Sequence, residues 1–194
     1  MLHVGKRLVV KPSWRKHHRV GDEVIIDLDP GMAFGTGLHP TTRLALLAIE
    51  ERAERGPLGR TLDIGCGSGI LAIAAVKLGA TRVLGVDIDP IAIEATEANA
   101  RHNRVNKRIR AVEGSVPTEV GPFDTVVANL IAGILVELAQ PIVEELVPGG
   151  SLLASGIFKD READVRSALE RAGIRFFNRW QESDWVALEG VREG

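Results

Sequence analysis

Two rhythms of apolar and polar residues alternate through most of this chain. Short runs dense in Val, Ile, Leu and Ala at 61–64, 82–86, 109–112, 123–128 and 151–155 read as strands. Longer stretches with apolar residues three or four apart, at 70–78, 90–103, 131–146 and 161–172, read as helices. Such alternation needs crossover connections, so the strands lie mostly parallel in one sheet with helices on both faces. Upstream lie two short strand candidates, 8–10 and 24–28, then a glycine-rich stretch, 29–40. A helix over 40–55 follows, stopped by Gly56 and Pro57.

The C-terminal region breaks the pattern. Two strand-like runs, 174–180 and 185–188, flank the polar turn Glu182-Ser183-Asp184, and runs so close can pair only as an antiparallel hairpin. The expected fold is α/β: a Rossmann-like, seven-stranded, mostly parallel sheet with a C-terminal antiparallel hairpin.

Composition narrows the class. A length of 194 residues with 45% hydrophobic and 26% charged positions suits one globular domain rather than a disordered or membrane chain. The formal charge of -2 hides a basic start: Lys6, Arg7, Lys11, Arg15, Lys16 and Arg19 stand within residues 1–20 without an acid. The remainder carries 18 bases against 26 acids, a balance of -8. Residues 6–19 are therefore a candidate for weak RNA contact, set against the plainer reading of a solvated face. Tyrosine is absent and aromatics make up 4%, which disfavours stacking platforms for single-stranded nucleic acid. Cys66 is the single cysteine, so no intrachain disulfide can form. No apolar run reaches the roughly 18 residues of a membrane span or follows the grammar of a signal peptide, so a cytoplasmic location is expected.

The central motif is Leu62-Asp63-Ile64-Gly65-Cys66-Gly67-Ser68-Gly69-Ile70, at a strand-to-helix turn. Glycines there permit positive φ and let a ligand approach bare backbone, while the helix start offers free N–H groups. The spacing G-x-G-x-G differs from the G-x-G-x-x-G that cradles a dinucleotide pyrophosphate. An acid before a tighter loop suits an amino-acid tail, whose ammonium Asp63 can reach directly or through water. Asp87 ends the next strand, 22 residues after Gly65, where a carboxylate can accept both hydroxyls of a ribose. Asp89 reads as a helix N-cap with Pro90 at the first helical position. Ile88 is placed to pack on a purine face, and Glu113-Gly114-Ser115 to offer polar contacts to its edge, Ser115 above all.

Asn129 ends the strand 123–128, where an open α/β sheet presents reactive groups to its crevice. Enzymes that methylate planar amides or base amines carry Asn-Pro-Pro-Tyr at this place, with an aromatic to stack the acceptor. Here the run is Asn129-Leu130-Ile131-Ala132, without prolines or aromatic, which favours an aliphatic amine.

These motifs, together with Pro30-Gly31-Met32-Ala33-Phe34-Gly35-Thr36-Gly37-Leu38-His39-Pro40-Thr41-Thr42, resemble the PrmA family, methyltransferases of large-subunit ribosomal protein eleven. The resemblance covers about residues 8–190. It implies the class I fold dependent on S-adenosyl-L-methionine (AdoMet). Phe34, Thr42, Asp63, Gly65, Gly67, Gly69, Asp87, Ile88, Ser115 and Asn129 become candidate cofactor-binding residues, and the loop 34–39 is expected to close over the cofactor. It also implies methylation of lysines and of the N-terminal amine of that ribosomal protein. Residues 1–40 then form an N-terminal linker segment with short strands and the cofactor loop, and 41–194 the methyltransferase domain. Family members usually carry a recognition domain ahead of that linker, where this chain starts.

The chemistry so implied is in-line displacement by a neutral amine, helped mainly by proximity and desolvation. A lysine, with an ordinary pKa of about 10.4, must first lose its proton. Asn129 and His39 are the candidate catalytic residues, although a histidine in such a loop more often makes a positioning hydrogen bond. Cys66 reads as a small packed residue, and the adjacent His17 and His18 have no metal-ligand spacing. A nicotinamide oxidoreductase would need the other glycine spacing. A methyltransferase of RNA, another protein or a small molecule would share this cofactor site. A non-catalytic AdoMet-binding or ribosome-binding module would bind without turnover.

Overall fold

Successive side chains of the central strands point to opposite faces and are buried on both, so each such strand joins two core layers and the sheet grows from that. The computed structural model describes residues 1–28 and 39–194. The first elements are β1 (Leu2–Val4), β2 (Leu8–Lys11), β3 (Val24–Asp27) and α1 (Pro40–Glu54). Then come β4 (Arg60–Ile64), α2 (Ile70–Lys77), β5 (Arg82–Asp87), α3 (Pro90–His102), β6 (Ile109–Glu113) and β7 (Phe123–Asn129). The chain ends with α4 (Ala132–Glu137), α5 (Ala139–Glu144), β8 (Leu146–Phe158), α6 (Glu162–Arg171), β9 (Ile174–Glu182) and β10 (Trp185–Arg192).

The large sheet runs β6-β5-β4-β7-β8-β10-β9. β4 pairs parallel with β5 and β7, β5 with β6, and β7 with β8, while β10 is antiparallel to both β8 and β9. The seven strands and the terminal hairpin are as expected. Leu62, Ile64, Val126 and Ala128 face the layer closed by α4 to α6, whereas Val127 and Leu153 face the layer of α1 and α2. Each fully buried Leu or Ile in these layers contributes about 1.5–3 kcal/mol.

Several boundaries differ from the pattern reading, and the hairpin strands expected at 174–180 and 185–188 run on to Glu182 and Arg192. The single helix expected over 131–146 is two, α4 and α5, because Pro141 lacks an N–H and its ring crowds the carbonyl four residues earlier. The strand expected at 151–155 extends over Leu146–Phe158, with a register irregularity against β7 between Phe123 and Thr125. A further strand, β1, folds back antiparallel on β2 through a turn with Gly5 at φ 60°.

β1, β2 and β3 make a separate small sheet whose Leu8 and Ile26 enter the same core layer as Leu46, Ile49 and Ile73. Buried Glu50 of α1 accepts from the Lys6 and Arg7 N–H groups at 2.7 and 2.8 Å. Asn103 donates to the Asp27 carbonyl at 2.6 Å and accepts from the Asp27 N–H at 2.9 Å. The segment ahead of α1 is thereby tied to α1 and to the end of α3.

Candidate active site

Strand order reverses between β4 and β7, and the C-terminal ends of β4, β5, β6 and β7 open there onto a cavity of about 290 Å³. The glycine loop forms its floor. Gly65, Gly67 and Gly69 all have positive φ, at 72°, 54° and 78°, a region that an L side chain enters at a cost of about 1–2 kcal/mol. A Cβ on Gly65 would stand 2.6 Å from Leu130 Cδ2, so glycine is needed there for space as well as for conformation.

The loop is fastened from two sides. The Gly65 and Cys66 N–H groups donate to the Val86 carbonyl at 2.8 and 3.1 Å, and the Gly67 N–H donates to Asp87 Oδ2 at 2.9 Å. From α3, Thr96 Oγ1 donates to the Gly67 carbonyl at 3.0 Å and Asn99 Nδ2 to the Ser68 carbonyl at 2.9 Å. Thr96 and Asn99 were not among the sequence candidates. Their signal is two polar residues three apart on the buried face of an otherwise alanine-lined helix.

Asp87, at the end of β5, also accepts from the Asp89 N–H at 3.0 Å, and Asp89 caps α3 by accepting from the Ile91 N–H at 2.9 Å. Thr42, Gly65, Gly67, Asp87, Ile88, Ser115 and Asn129 all line the cavity. Ile88 is 77% exposed, an apolar side chain left on the rim. Leu130, Ile134 and Leu138, from the start of α4 and the α4–α5 junction, supply an apolar wall that the motif reading did not name.

Other candidates lie elsewhere. Asp63 and Gly69 sit behind the loop rather than on the cavity wall; Gly69 is the residue from which α2 starts. His39 is the N-cap of α1, with Nδ1 2.9 Å from Thr41 Oγ1 and its ring edge-on to Trp185 at 5.0 Å. It does not line the cavity. Phe34 and the closing loop lie outside the described residues.

Two buried polar atoms at this site have no partner among the described residues: Thr42 Oγ1 on the cavity wall and Asp63 Oδ1 behind it. Unsatisfied buried groups are costly and point to a missing partner. Burial pushes the Asp63 carboxyl up to about 7, opposed by the Ala72 N–H that donates to Oδ2 and helped by the nearby charge of Asp87. Burial likewise pushes the Cys66 thiol up to about 12, which leaves it inert as a nucleophile.

A seven-stranded sheet with a reversed terminal hairpin, a G-x-G-x-G turn at the switch point and an acid closing the following strand define the class I AdoMet-dependent methyltransferase fold. Within that class the chain belongs to the PrmA family, described as ribosomal protein L11 methyltransferase, which it matches over residues 2–193. It is 43% identical over 206 residues to "Ribosomal protein L11 methyltransferase" of Herpetosiphon aurantiacus, covering 95% of this chain and 64% of the relative. The protein of the same name from Pelotomaculum thermopropionicum is 44% identical over 188 residues, with 96% and 60% covered. The chain therefore spans about 60–64% of the length of these curated relatives. A solved chain of "ribosomal protein L11 methylase" from Lactobacillus delbrueckii subsp. bulgaricus is similar at a TM-score of 0.91 and 37% identity, covering 100% of this chain and 98% of that one.

Proposed function

We propose that this chain binds AdoMet in the cavity and transfers methyl groups to lysine and N-terminal amino groups of ribosomal protein L11, in the cytoplasm. The observation that carries the reading is the Asp87–Gly67 contact, which aims a strand-end carboxylate and a bare glycine backbone into one cavity. Asp87 would accept the ribose hydroxyls, Ile88 and Ser115 would hold the adenine face and edge, and Gly65 and Gly67 would border the amino-acid tail. Thr42 Oγ1 and Asp63 Oδ1, both without partners among the described residues, fit a ligand that brings an ammonium and a carboxylate, with Asp63 reaching it through water.

Bound AdoMet supplies an electrophilic methyl on a sulfonium. The chain's own part is to hold the acceptor in line and dry: Leu130, Ile134 and Leu138 exclude water, and the Asn129 amide can accept from the incoming amine and aim its lone pair. For His39, the capping contacts favour a positioning role at the start of α1 over proton transfer. The test is incubation of the chain with methyl-labelled AdoMet and ribosomal protein L11, followed by mass mapping. Label on lysine and N-terminal amines is expected. AdoMet binding with no label on ribosomal protein L11 would overturn this choice of acceptor.

A further inference from the structure

At the opposite, N-terminal ends of the strands lies a second concavity of about 640 Å³, lined by Arg60, Arg82, Lys107, Arg108 and Arg110 and, among the described residues, by no acidic side chain. Sheet register creates this cluster. Arg60 is aligned with Arg82 across β4 and β5, and Arg108 immediately precedes Ile109, which is aligned with Val83. The Val83 N–H donates to the Arg108 carbonyl at 2.8 Å. Three arginines thus stand side by side at strand spacing, about 4.8 Å apart. Arg110, aligned with Leu84, continues the same face one step along.

Like charges set opposite one another weaken a sheet. Arg60 is held by the Val120 and Pro122 carbonyls at 3.0 and 3.2 Å and lies over the Phe123 ring at 5.2 Å. Arg82, Lys107, Arg108 and Arg110 are exposed and make no ion pair or side-chain hydrogen bond among the described residues. The basic N-terminal run behaves differently: Lys6 pairs with Glu54 at 2.9 Å, Lys11 with Asp27, and Arg7 lies 3.9 Å from Asp22. Folding pairs Lys6 and Lys11 closely with carboxylates, whereas the groove keeps a row of repelling cations.

We infer that this groove docks the phosphate backbone of a nucleic acid. Four of its five cations are arginines, whose planar fork matches a phosphate with two parallel bonds. Its one aromatic, Phe123, is buried beneath Arg60, so the groove offers neither a base-stacking surface nor the aromatic anchor that a protein partner would use. Binding is therefore to backbone and insensitive to sequence. The groove lies at the far end of the sheet from the cavity, so the inference does not depend on the proposed methyl transfer.

The test is fluorescence anisotropy of the whole chain with a short labelled RNA duplex between about 50 and about 200 mM salt, the range over which phosphate contacts are lost. Four phosphate contacts predict a slope of log Kd against log salt of about 3 to 4. A variant with Arg82→Gln, Arg108→Gln and Arg110→Gln should lose about 2 to 3 of that slope and bind roughly a hundredfold more weakly at low salt. Its thermal midpoint should equal or exceed the parent's, since repulsion is relieved. The single variant Arg108→Gln should lose about 1 of the slope. Changing Arg15, Lys16 and Arg19, which make no ion pair among the described residues, to Gln should cost much less affinity than the groove triple variant, and an equal loss would overturn the groove as the docking site. The inference is overturned by absence of RNA binding in the parent, by undiminished affinity in the triple variant, or by a lowered midpoint that makes the cations structural. Equally tight binding of polyglutamate would assign the groove to an acidic protein. Displacement by inorganic phosphate beyond the effect of ionic strength would assign it to free phosphate.

Discussion

Asp87 Oδ2 accepts the Gly67 N–H at 2.9 Å, so the residue proposed to hold the ribose also clamps the glycine loop twenty positions earlier. Asp87→Ala should weaken AdoMet binding by about 1–3 kcal/mol, the cost of leaving polar groups without their charged acceptor. Asp87→Asn, which can still accept from Gly67, should lose less. Calorimetry with AdoMet, S-adenosylhomocysteine and NAD checks this. NAD should give no heat, because the loop lacks the dinucleotide spacing, and an Ala variant with parental AdoMet affinity would place the ribose elsewhere.

Asp63 makes stability depend on pH with a definite sign. Its carboxyl is pushed up to about 7 from an ordinary value of 3.8, so between those values the folded state holds a proton that the unfolded chain has released. That stabilisation is complete below about pH 4, fades as pH rises toward about 7 and is absent above it. Asp63→Asn should abolish this slope, raising the denaturation midpoint at pH 8 relative to the parent. An ammonium beside Asp63 favours the carboxylate, so parental AdoMet affinity should rise as pH passes about 7, and the Asn variant should lose that rise. Parallel pH profiles for the two proteins would remove Asp63 from the binding role.

Asn129 closes β7 on the cavity wall. Asn129→Ala should slow single-turnover methyl transfer by about 10²-fold through loss of acceptor alignment, with a much smaller effect on AdoMet affinity. A rate unchanged in rapid-quench measurements would reduce Asn129 to a strand end.

Gly156 has φ 86°, and a Cβ there would fall inside the contact radius of the Leu130 carbonyl oxygen. Gly156→Ala should cost about 2–5 kcal/mol, combining the left-handed backbone with an overpacked contact. Urea denaturation should show a lower midpoint at constant slope. Because Leu130 adjoins Asn129, methyl transfer should fall further than the folded fraction alone predicts.

Much of the site could be read before folding was known, and the reason is local. Gly65, Gly67 and Gly69 are demanded by backbone conformation within one turn, and Asp87 by its place at the end of the adjacent strand. The residues that steady the loop, Thr96 and Asn99, were not legible, because a polar residue on a helix shows its purpose only once the helix is docked. The split between α4 and α5 was marked by Pro141, yet the apolar periodicity across it continues and conceals the break. The start of β8 was hidden for a similar reason: Pro148, Gly149 and Gly150 look like a stop, while the strand passes through them by shifting register.

The sequence alone determined the alternation of strands and helices, the terminal hairpin and the glycine turn with its following acid, because each depends on a period or a backbone requirement contained in a few consecutive residues. Tertiary structure alone decided which side of the loop Asp63 occupies, that Lys6 and Lys11 are neutralised, and that Arg60, Arg82 and Arg108 form one row. Those outcomes rest on strand register and helix docking. Both are settled by packing two core layers at once, and they join residues too far apart in the chain for any local pattern to record.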